Sequence, residues 1–302
     1  MKKHMSENHF GEVITQKENV ELIDCKKCKF IHVNPIPSQV ELLKFYREEF
    51  YQETKPTYLK KDEEEIDYWN ISYDEKLENL KSNNIPNQRI LDVGCGGGFF
   101  LRRAKEKGYD VLGIEPSPNA SEYAKKHKIP VITEFFENVN FSDNKKFGSI
   151  HMNAVLEHSN SPNQILKICN NILEKDGILI IETPNDFNPL QKIAQRFLGK
   201  DEWWVVPKEH LNYFNFESLS ALVQRNGFQI ILKQSTFPLE LFLLMGDDYV
   251  YNSKIGSKKH QERMKFEQNM KNLDGQELKQ KLYSKFAEIG IGRRVIIYAK
   301  KL

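Results

Sequence analysis

The chain has 302 residues, 39% of them hydrophobic, so it has room for one large or two small domains and is too apolar for a disordered chain. Its 44 basic and 42 acidic residues give a net charge of +2, which excludes the overall positive field that duplex nucleic acid would favour. The most hydrophobic stretch, 237–245, is interrupted by Glu240 and is too short to span a membrane, and residues 1–10 contain no apolar run of an export signal. Four cysteines are too few for a disulfide framework. We therefore expect a soluble, cytoplasmic protein with no membrane partner.

A cysteine pair near the N-terminus has the spacing of a metal site. Cys25, Cys28 and His32 form a C-x2-C-x3-H pattern, and His4 or His9 is available as a fourth ligand. Tetrahedral zinc accepts such a set, and a metal would stabilise a short lysine-rich segment. The alternative is a pair of reduced cysteines in a turn. A redox dithiol is disfavoured because no strand–helix context of the thioredoxin kind surrounds the pair.

Helices are predicted between this N-terminal segment (1–37) and the first central strand, over residues 38–84. Ser38 followed by Glu41 has the pattern of a capping box. Apolar residues continue that helix at helical spacing: Leu43, Tyr46 and Phe50. A second helix carries an apolar stripe: Ile66, Trp69, Tyr73, Leu77 and Leu80. The acidic run 62–65 precedes the stripe, where a helix N-terminus favours negative charge.

From residue 89 onward, short β-branched runs alternate with amphipathic stretches, as a parallel sheet with crossover helices requires. The predicted strands are 89–93, 110–115, 130–133, 148–155, 177–183, 228–233 and 293–299. Ser161 and Pro162 predict the start of one crossover helix, and Gly177 suits its end. The core is thus assigned to 85–236 and 291–302. The intervening segment 237–290 is far longer than an ordinary connection and is predicted to be an inserted lid or subdomain.

The strongest motif is a glycine-rich turn between the first core strand and the next helix. Such a turn lets a ligand approach the backbone closely at a helix N-terminus. A dinucleotide-binding G-x-G-x-x-G loop starting at Gly94 would have a third glycine where Phe99 stands, which argues against a nicotinamide-dependent oxidoreductase. The run instead reads D-x-G-x-G-x-G from Asp92, and Glu115 ends the next strand, where an acid can bind ribose hydroxyls.

These residues resemble the class I S-adenosylmethionine-dependent methyltransferases of the small-molecule branch. Residues 153–158 (N-A-V-L-E-H) resemble the fourth-strand motif of that family. Residues 173–179 resemble its L-x-P-G-G-x-L turn, with Lys175 and Asp176 replacing the proline and the first glycine. Six residues fit its H-x-x-x-F-x-x-x-S-L…G-F segment: His210, Phe214, Ser218, Leu219, Gly227 and Phe228. The resemblance covers about half of the chain and implies an α/β, Rossmann-like fold with a seven-stranded, mostly parallel sheet and flanking helices.

The resemblance also implies S-adenosylmethionine as the cofactor and assigns residues to it: Asp92, Gly94, Cys95, Gly96, Glu115, Pro116, Phe135, Phe136 and Asn153. The loop residues would hold the methionine end, Glu115 the ribose and Pro116 the adenine side, while Asn153 would face the sulfonium. Phe135 and Phe136 are either neighbours of the adenine ring or ordinary core residues.

Two histidines are candidate catalytic residues. The methyl group of a sulfonium is already activated, so a base matters only if the nucleophile keeps its proton. His158 follows the fourth strand at the sheet edge where ligands bind, and it is either the base or a backbone-bonding residue of the cofactor loop. His210 lies near Trp203, Trp204 and Tyr213 in a segment that can cover the substrate, where it is a base or has a structural or substrate-contact role.

The predicted acceptor is a hydroxyl group of a small molecule or a saccharide, by analogy with the family. Residues 153–156 lack the N/D-P-P-Y/F loop that DNA amino-group methylation usually uses, so DNA is disfavoured. Two alternatives are kept: a protein that binds the cofactor without transferring a methyl group, and an RNA-modifying enzyme recruited through 26–27 and 258–259. Those lysine pairs are short and typical of solvated faces. The acceptor's identity and the oligomeric state stay open.

Overall fold

The computed structural model describes residues 9–44, 57–141 and 146–302, with the side chains of 43 and 44 excepted. The strands in these ranges are β1 (Gly11–Lys17), β2 (Val20–Cys25), β3 (Ile31–Asn34), β4 (Arg89–Val93), β5 (Asp110–Ile114), β6 (Val131–Ile132), β7 (Phe147–Asn153), β8 (Leu173–Pro184), β9 (Asn212–Tyr213), β10 (Phe228–Ser235) and β11 (Arg294–Lys301). The helices are α1 (Gln39–Lys44), α2 (Tyr58–Glu64), α3 (Ile66–Ser82), α4 (Phe99–Glu106), α5 (Pro118–Lys126), α6 (Pro162–Ile172), α7 (Pro189–Leu198), α8 (Phe216–Gln224), α9 (Glu240–Leu244), α10 (Ser253–Asn272) and α11 (Gln276–Glu288).

The main sheet has seven strands in the order β10-β11-β8-β7-β4-β5-β6. The five strands from β8 to β6 run parallel, and β11 is antiparallel to both of its neighbours. The predicted fold class, a seven-stranded and mostly parallel α/β sheet, is confirmed. Parallel strands end at one edge of the sheet, so the side chains that follow β4, β5 and β7 meet there.

The core lies on both faces of this sheet because its central strands place buried apolar side chains on each face. On one face Leu91, Leu179 and Ile181 pack with α6 and α8. On the other face Ile90 and Ile180 pack with α3 and α4. This alternation is the period-2 side-chain pattern of a strand buried between two helical layers.

β8 differs most from the prediction, because it begins at Leu173 rather than at 177. Its pairing with β7 jumps from Leu173 opposite Phe147 to Ile178 opposite Ser149, so the intervening residues bulge out of register. Asp176 has a left-handed φ of 64°, as a tight turn requires. The turn in the sequence motif is present, but it forms a bulge within a longer strand.

The predicted capping box of α1 is confirmed. Ser38 N donates to Glu41 Oε2 at 2.7 Å, and Glu41 N donates to Ser38 Oγ at 3.3 Å. The continuation of this helix through Tyr46 and Phe50 lies outside the described residues. The start of α6 also agrees with prediction, since Ser161 is its N-cap and Pro162 its first residue. Its predicted end at Gly177 was wrong, because α6 ends at Ile172 and Gly177 lies within β8.

The acidic run 62–65 has a different place from the one expected. Most of it belongs to α2, a separate short helix, and only Glu65 is the N-cap of α3. Glu63 accepts two hydrogen bonds of 3.0 Å from the Arg102 guanidinium of α4. Contact with a cation on another helix therefore stabilises part of this negative charge, and sequence proximity to α3 did not reveal that contact.

The N-terminal segment forms a small antiparallel sheet, β1-β2-β3-β9, which the sequence did not predict. Its exposed first strand lacks a clear apolar alternation, so the usual strand signal is weak. Its core combines residues far apart in the chain: Leu22, Val33, Trp204, Val205, Leu211 and Tyr213. Phe30 packs on Phe214 with ring centroids 5.0 Å apart and connects this sheet to the main core.

The long segment before β11 contains α9, α10 and α11, with α10 packed on α3 and α11 on β10. Its role as a lid stays a prediction. Over the described ranges, each helix is too short or too polar to cross a bilayer. The four cysteines are free thiols.

Candidate functional site

A cleft of about 130 Å³ opens at the carboxyl ends of β4, β5 and β7. It is lined by Gln39, Leu42, Val93, Gly94, Ile114, Glu115, Pro116, Phe135, Phe136, Glu137, Ala154, Val155, His158, Ser159, Asn160 and Ile165. This set brings together six of the residues that the sequence singled out for the cofactor or for catalysis. Gln39 and Leu42 of α1 were missed, because their contribution depends on where α1 packs.

The glycine loop forms one wall of the cleft. Gly94 has a φ of +68° and Gly96 a φ of +52°, both in the left-handed region. A Cβ on Gly94 would lie 2.7 Å from Val155 Cγ2, on the opposite wall. Glycine at this position therefore keeps the cleft open and exposes backbone to a ligand.

Glu115 connects the glycine loop to the start of α5. Its carboxylate is buried, and it accepts hydrogen bonds from Gly96 N and from Ser117 N, both at 2.8 Å. An ionised carboxylate offers about four lone-pair positions. The carboxylate also lines the cleft, where the family resemblance assigns it to the ribose hydroxyls.

Four predicted cofactor residues do not line the cleft: Asp92, Cys95, Gly96 and Asn153. Cys95 is buried behind the loop. Asp92 accepts a 2.7 Å hydrogen bond from His151 Nδ1 inside the core. Asn153 Oδ1 accepts a 3.1 Å bond from Arg294 Nη1. Sequence spacing could not reveal the His151 and Arg294 partners, which come from other strands.

Phe135 and Phe136, after β6, were interpreted either as neighbours of the adenine ring or as core residues, and a residue can be both. Phe136 is 4% exposed, belongs to the main core and also lines the cleft. Phe135 is half-buried and lines the cleft beside it. An apolar wall of this kind suits a flat heteroaromatic ring.

His158 lines the same cleft as Gly94, in a short 3-10 turn after β7. Its Nδ1 lies 2.6 Å from the carbonyl oxygen of Glu209. A carbonyl only accepts, so Nδ1 carries the proton and Nε2 is the basic nitrogen. The His210 ring is 5.0 Å away in an edge-to-face arrangement, so the two candidate histidines are neighbours. With Glu157 they form a cluster of ligand atoms within 4.8 Å of one another.

A second ligand cluster lies in the small sheet. His9, Cys25, Cys28 and His32 place one donor atom each within 4.8 Å of the others. His9 Nδ1 is 3.2 Å from His32 Nε2, 3.3 Å from Cys28 Sγ and 3.7 Å from Cys25 Sγ. Tetrahedral zinc would hold such atoms about 3.3–3.8 Å apart, given its bond lengths to nitrogen and sulfur. His4 lies outside the described residues.

Two further contacts fit metal ligation by this cluster. His32 Nδ1 donates to Val33 O at 2.8 Å, which leaves Nε2 as the lone-pair nitrogen facing the cysteines. Cys28 N donates to Cys25 Sγ at 3.4 Å, and amide donors of this kind stabilise thiolates. Burial, followed by the proximity of Cys25, raises the pKa of the Cys28 thiol to about 12.

Three of the four lysines considered for RNA recruitment form ion pairs in the described structure. Lys259 is 7% exposed and lies 2.7 Å from Asp247 and 2.8 Å from Glu262. Lys26 pairs with Asp24 at 3.7 Å. These contacts neutralise much of the charge that a phosphate backbone would need.

A family model described as a methyltransferase domain matches residues 47–233, more than half of the chain, and the chain belongs to that family. With the sheet order and the glycine loop, this identifies a class I S-adenosylmethionine-dependent methyltransferase.

The curated relatives include a ubiquinone biosynthesis O-methyltransferase of Glaesserella parasuis, 32% identical over 117 residues, which are 35% of this chain and 50% of that protein. An uncharacterized protein of Methanocaldococcus jannaschii is 26% identical over 182 residues, 59% of this chain and 84% of that protein. The chain spans about half the length of the ubiquinone enzymes it matches. Among solved structures, magnesium protoporphyrin IX methyltransferase from Synechocystis PCC 6803, with bound S-adenosylhomocysteine, has a TM-score of 0.54 at 12% identity. The alignment covers 88% of this chain and 100% of that one, a likeness of fold.

Proposed function

We propose that this methyltransferase transfers the methyl group of S-adenosylmethionine to a hydroxyl oxygen of a small-molecule or saccharide acceptor. The observation that carries the proposal is the cleft itself, which Gly94 of the glycine loop, Glu115 and His158 line together at the carboxyl edge of the sheet. The names of the ubiquinone relatives describe O-methylation, which favours oxygen as the acceptor atom. Their partial coverage leaves the acceptor molecule itself undefined.

When bound, S-adenosylmethionine supplies an electrophilic methyl group on sulfur. Glu115 and the backbone at Gly94 and Gly96 would hold its ribose and methionine ends, and Phe135 and Phe136 its adenine side. The apolar lining of the cleft would exclude water that competes with the acceptor. The hydrogen bond from His158 Nδ1 to Glu209 O fixes the ring so that Nε2 would take the proton of the acceptor hydroxyl. The acceptor oxygen would gain the methyl group as the methyl–sulfur bond breaks, with S-adenosylhomocysteine as the leaving group.

Two measurements test this proposal. Titration calorimetry with S-adenosylmethionine and S-adenosylhomocysteine should detect binding of both, since both carry the ribose and adenine groups. A screen of hydroxylated acceptors by product mass should detect the gain of one methyl group. Binding without any methylated product would instead support a protein that holds the cofactor without transferring the methyl group. Methylation of nitrogen or carbon in the product would contradict the oxygen assignment.

We also propose that His9, Cys25, Cys28 and His32 bind one zinc ion that stabilises the small sheet. The support is that His9 Nδ1 lies 3.2–3.7 Å from the other three donor atoms, and that all four lie within 4.8 Å of one another. Purified protein should contain about one equivalent of zinc, and Cys28→Ser should lose both the metal and the protease resistance of residues 9–34. Cys169→Ala removes a thiol from α6 and should keep the metal. Metal-free wild-type protein with an equally protected segment would contradict the zinc site.

A further inference from the structure

A second cavity, of about 60 Å³, lies between α3, α10, α11 and the same edge of the main sheet. It shares no lining residue with the cofactor cleft. The two are adjacent through Asn153: its side chain bonds Arg294, which lines the second cavity, and the next residue, Ala154, lines the cleft. We call this second space the charged cavity.

The carboxylates of the charged cavity already have cationic partners. Lys76 Nζ lies 3.0 Å from Glu182 Oε2, and Arg294 Nε lies 3.4 Å from Glu182 Oε1. Lys279 Nζ lies 2.7 Å from Glu75 Oε1 and 3.5 Å from Glu267 Oε2. Three carboxylates are thus matched by three cations.

Arg263 is the surplus cation. It is 8% exposed, lines the charged cavity from α10 and forms no ion pair with any carboxylate in the described parts of the chain. Its Nη2 lies 3.0 Å from His260 Nδ1, and its guanidinium stacks over the Tyr68 ring at 5.5 Å. A buried guanidinium without a counter-ion is costly, so a bound anion would be favoured at this position.

Hydrogen-bond donors around the charged cavity also lack partners. Arg263 Nε, Trp69 Nε1 and Thr236 Oγ1 are buried, and none has a hydrogen-bond partner within the described structure. All three residues line the cavity. An oxyanion presents several acceptor oxygens, and it would satisfy these donors and the charge of Arg263 together.

We propose that the charged cavity binds an oxyanionic group of the methyl acceptor, a carboxylate or a phosphate, on Arg263. The inference rests on the proposed methyl transfer, because it assigns the cavity next to the cofactor cleft to the acceptor. The planar guanidinium would receive the oxyanion through its Nε, with Trp69 and Thr236 donating at the side. The acceptor class is therefore an acidic hydroxylated compound.

The test uses inorganic phosphate and acetate as probes of the full chain, with chloride at equal ionic strength as the reference. At least one of the two oxyanions should raise the Tm of the wild type and quench tryptophan fluorescence more than chloride does. Arg263→Gln should weaken that binding by about tenfold or more, because it removes the positive charge and the planar N–H donors of the guanidinium. Lys265→Gln is the matched control, since it removes the same charge from an exposed position on the same helix.

The response of the two probes tells phosphate from carboxylate. Arg263→Lys keeps the positive charge but lacks the planar N–H donors of the guanidinium, so it should bind the oxyanion that the wild type binds with intermediate affinity. This variant provides the measurement if Arg263→Gln does not fold. Equal oxyanion binding by the wild type and both Arg263 variants would overturn the proposal. An equal loss of binding in Lys265→Gln would also overturn it. So would a wild type that responds to neither oxyanion more than to chloride. S-adenosylhomocysteine is titrated into the same samples. If it binds while the oxyanions do not, only the acceptor inference fails; if it does not bind, the proposed function fails.

Discussion

The cofactor cleft and the charged cavity lie side by side at one edge of the sheet, yet they are built in opposite ways. The cleft is formed by glycine backbone, aromatic rings and one buried carboxylate that is satisfied by amide donors. The charged cavity is formed by paired cations and carboxylates from three helices and three strands. The first depends on local chain geometry, whereas the second depends on matched charges that only the assembled fold brings together. We therefore expect substitutions in the cleft to change binding or chemistry. Substitutions of the paired charges around the charged cavity should change stability.

The largest expected effect concerns His158. His158→Ala should lower turnover by about 10²- to 10⁴-fold, because a general base acts in the transition state. Affinity for S-adenosylhomocysteine should change little. His127→Ala, at an exposed position after α5, should keep full turnover. A parallel collapse of cofactor affinity would make His158 part of the cofactor site instead.

His210→Ala separates the two neighbouring histidines. If His210 covers the substrate, its loss should raise KM more than it lowers kcat. Steady-state kinetics with the acceptor found by the mass screen measures both. Full turnover in both histidine variants would mean that the acceptor is already deprotonated or that another group removes its proton.

Around the charged cavity, Glu182→Gln should cost about 3–5 kcal/mol of folding free energy, because Lys76 and Arg294 would lose a buried counter-charge. Chemical denaturation measures this loss. The matched comparison is on α11, where Lys279 is 1% exposed and paired with two carboxylates, while Lys281 pairs with Glu277 in solvent. Lys279→Met should destabilise the protein strongly and Lys281→Met should leave its Tm unchanged. Equal effects would contradict a structural role for these buried pairs.

Acidic pH should weaken the ion pairs of Glu182 with Lys76 and Arg294. Burial raises the pKa of Glu182, but Lys76 and Arg294 more than offset it and lower the pKa to about 2. Because an unfolded glutamate titrates near pH about 4.3, this residue stabilises the fold fully above about pH 5. That contribution should fall as the pH drops from about 5 to 2, and Glu182→Gln should lack this part of the acid dependence. Unfolding curves across that range, recorded for both proteins, test the sign.

The smallest of the expected effects is on cofactor binding. Glu115→Ala should weaken S-adenosylhomocysteine by about 1.5–3 kcal/mol, because it removes the ribose contacts and leaves the Gly96 and Ser117 amides unpaired. Glu122→Ala, exposed on α5, should bind as the wild type does. Unchanged affinity in folded Glu115→Ala would refute the ribose assignment.

Much of the fold was predictable because its signals are local. The strands of the main sheet, apart from the early start of β8, followed from β-branched runs, and the capping box of α1 followed from two residues three apart. The small sheet was not predictable, since β9 joins it from residue 212 and its core includes Trp204 and Tyr213. The spacing in the sequence indicated Cys25, Cys28 and His32 as a donor set. That His9 joins them was clear only from the structure, in which the chain before β1 brings His9 close to the other three.

The sequence by itself determined the class of protein, because the glycine loop, the acid after β5 and the later motifs are contiguous runs whose backbone geometry is set within a few residues. Only the tertiary structure decided which side chains meet. Asp92 pairs with His151, Asn153 with Arg294, and His158 lies beside His210 because separate strands and loops end at one sheet edge. The residues that line the charged cavity range from Tyr68 to Tyr298 in the sequence. No sequence pattern predicts the distance between residues so far apart in the chain. The surplus charge of Arg263 follows from that assembly, since it is defined by which carboxylates the fold gives to other cations.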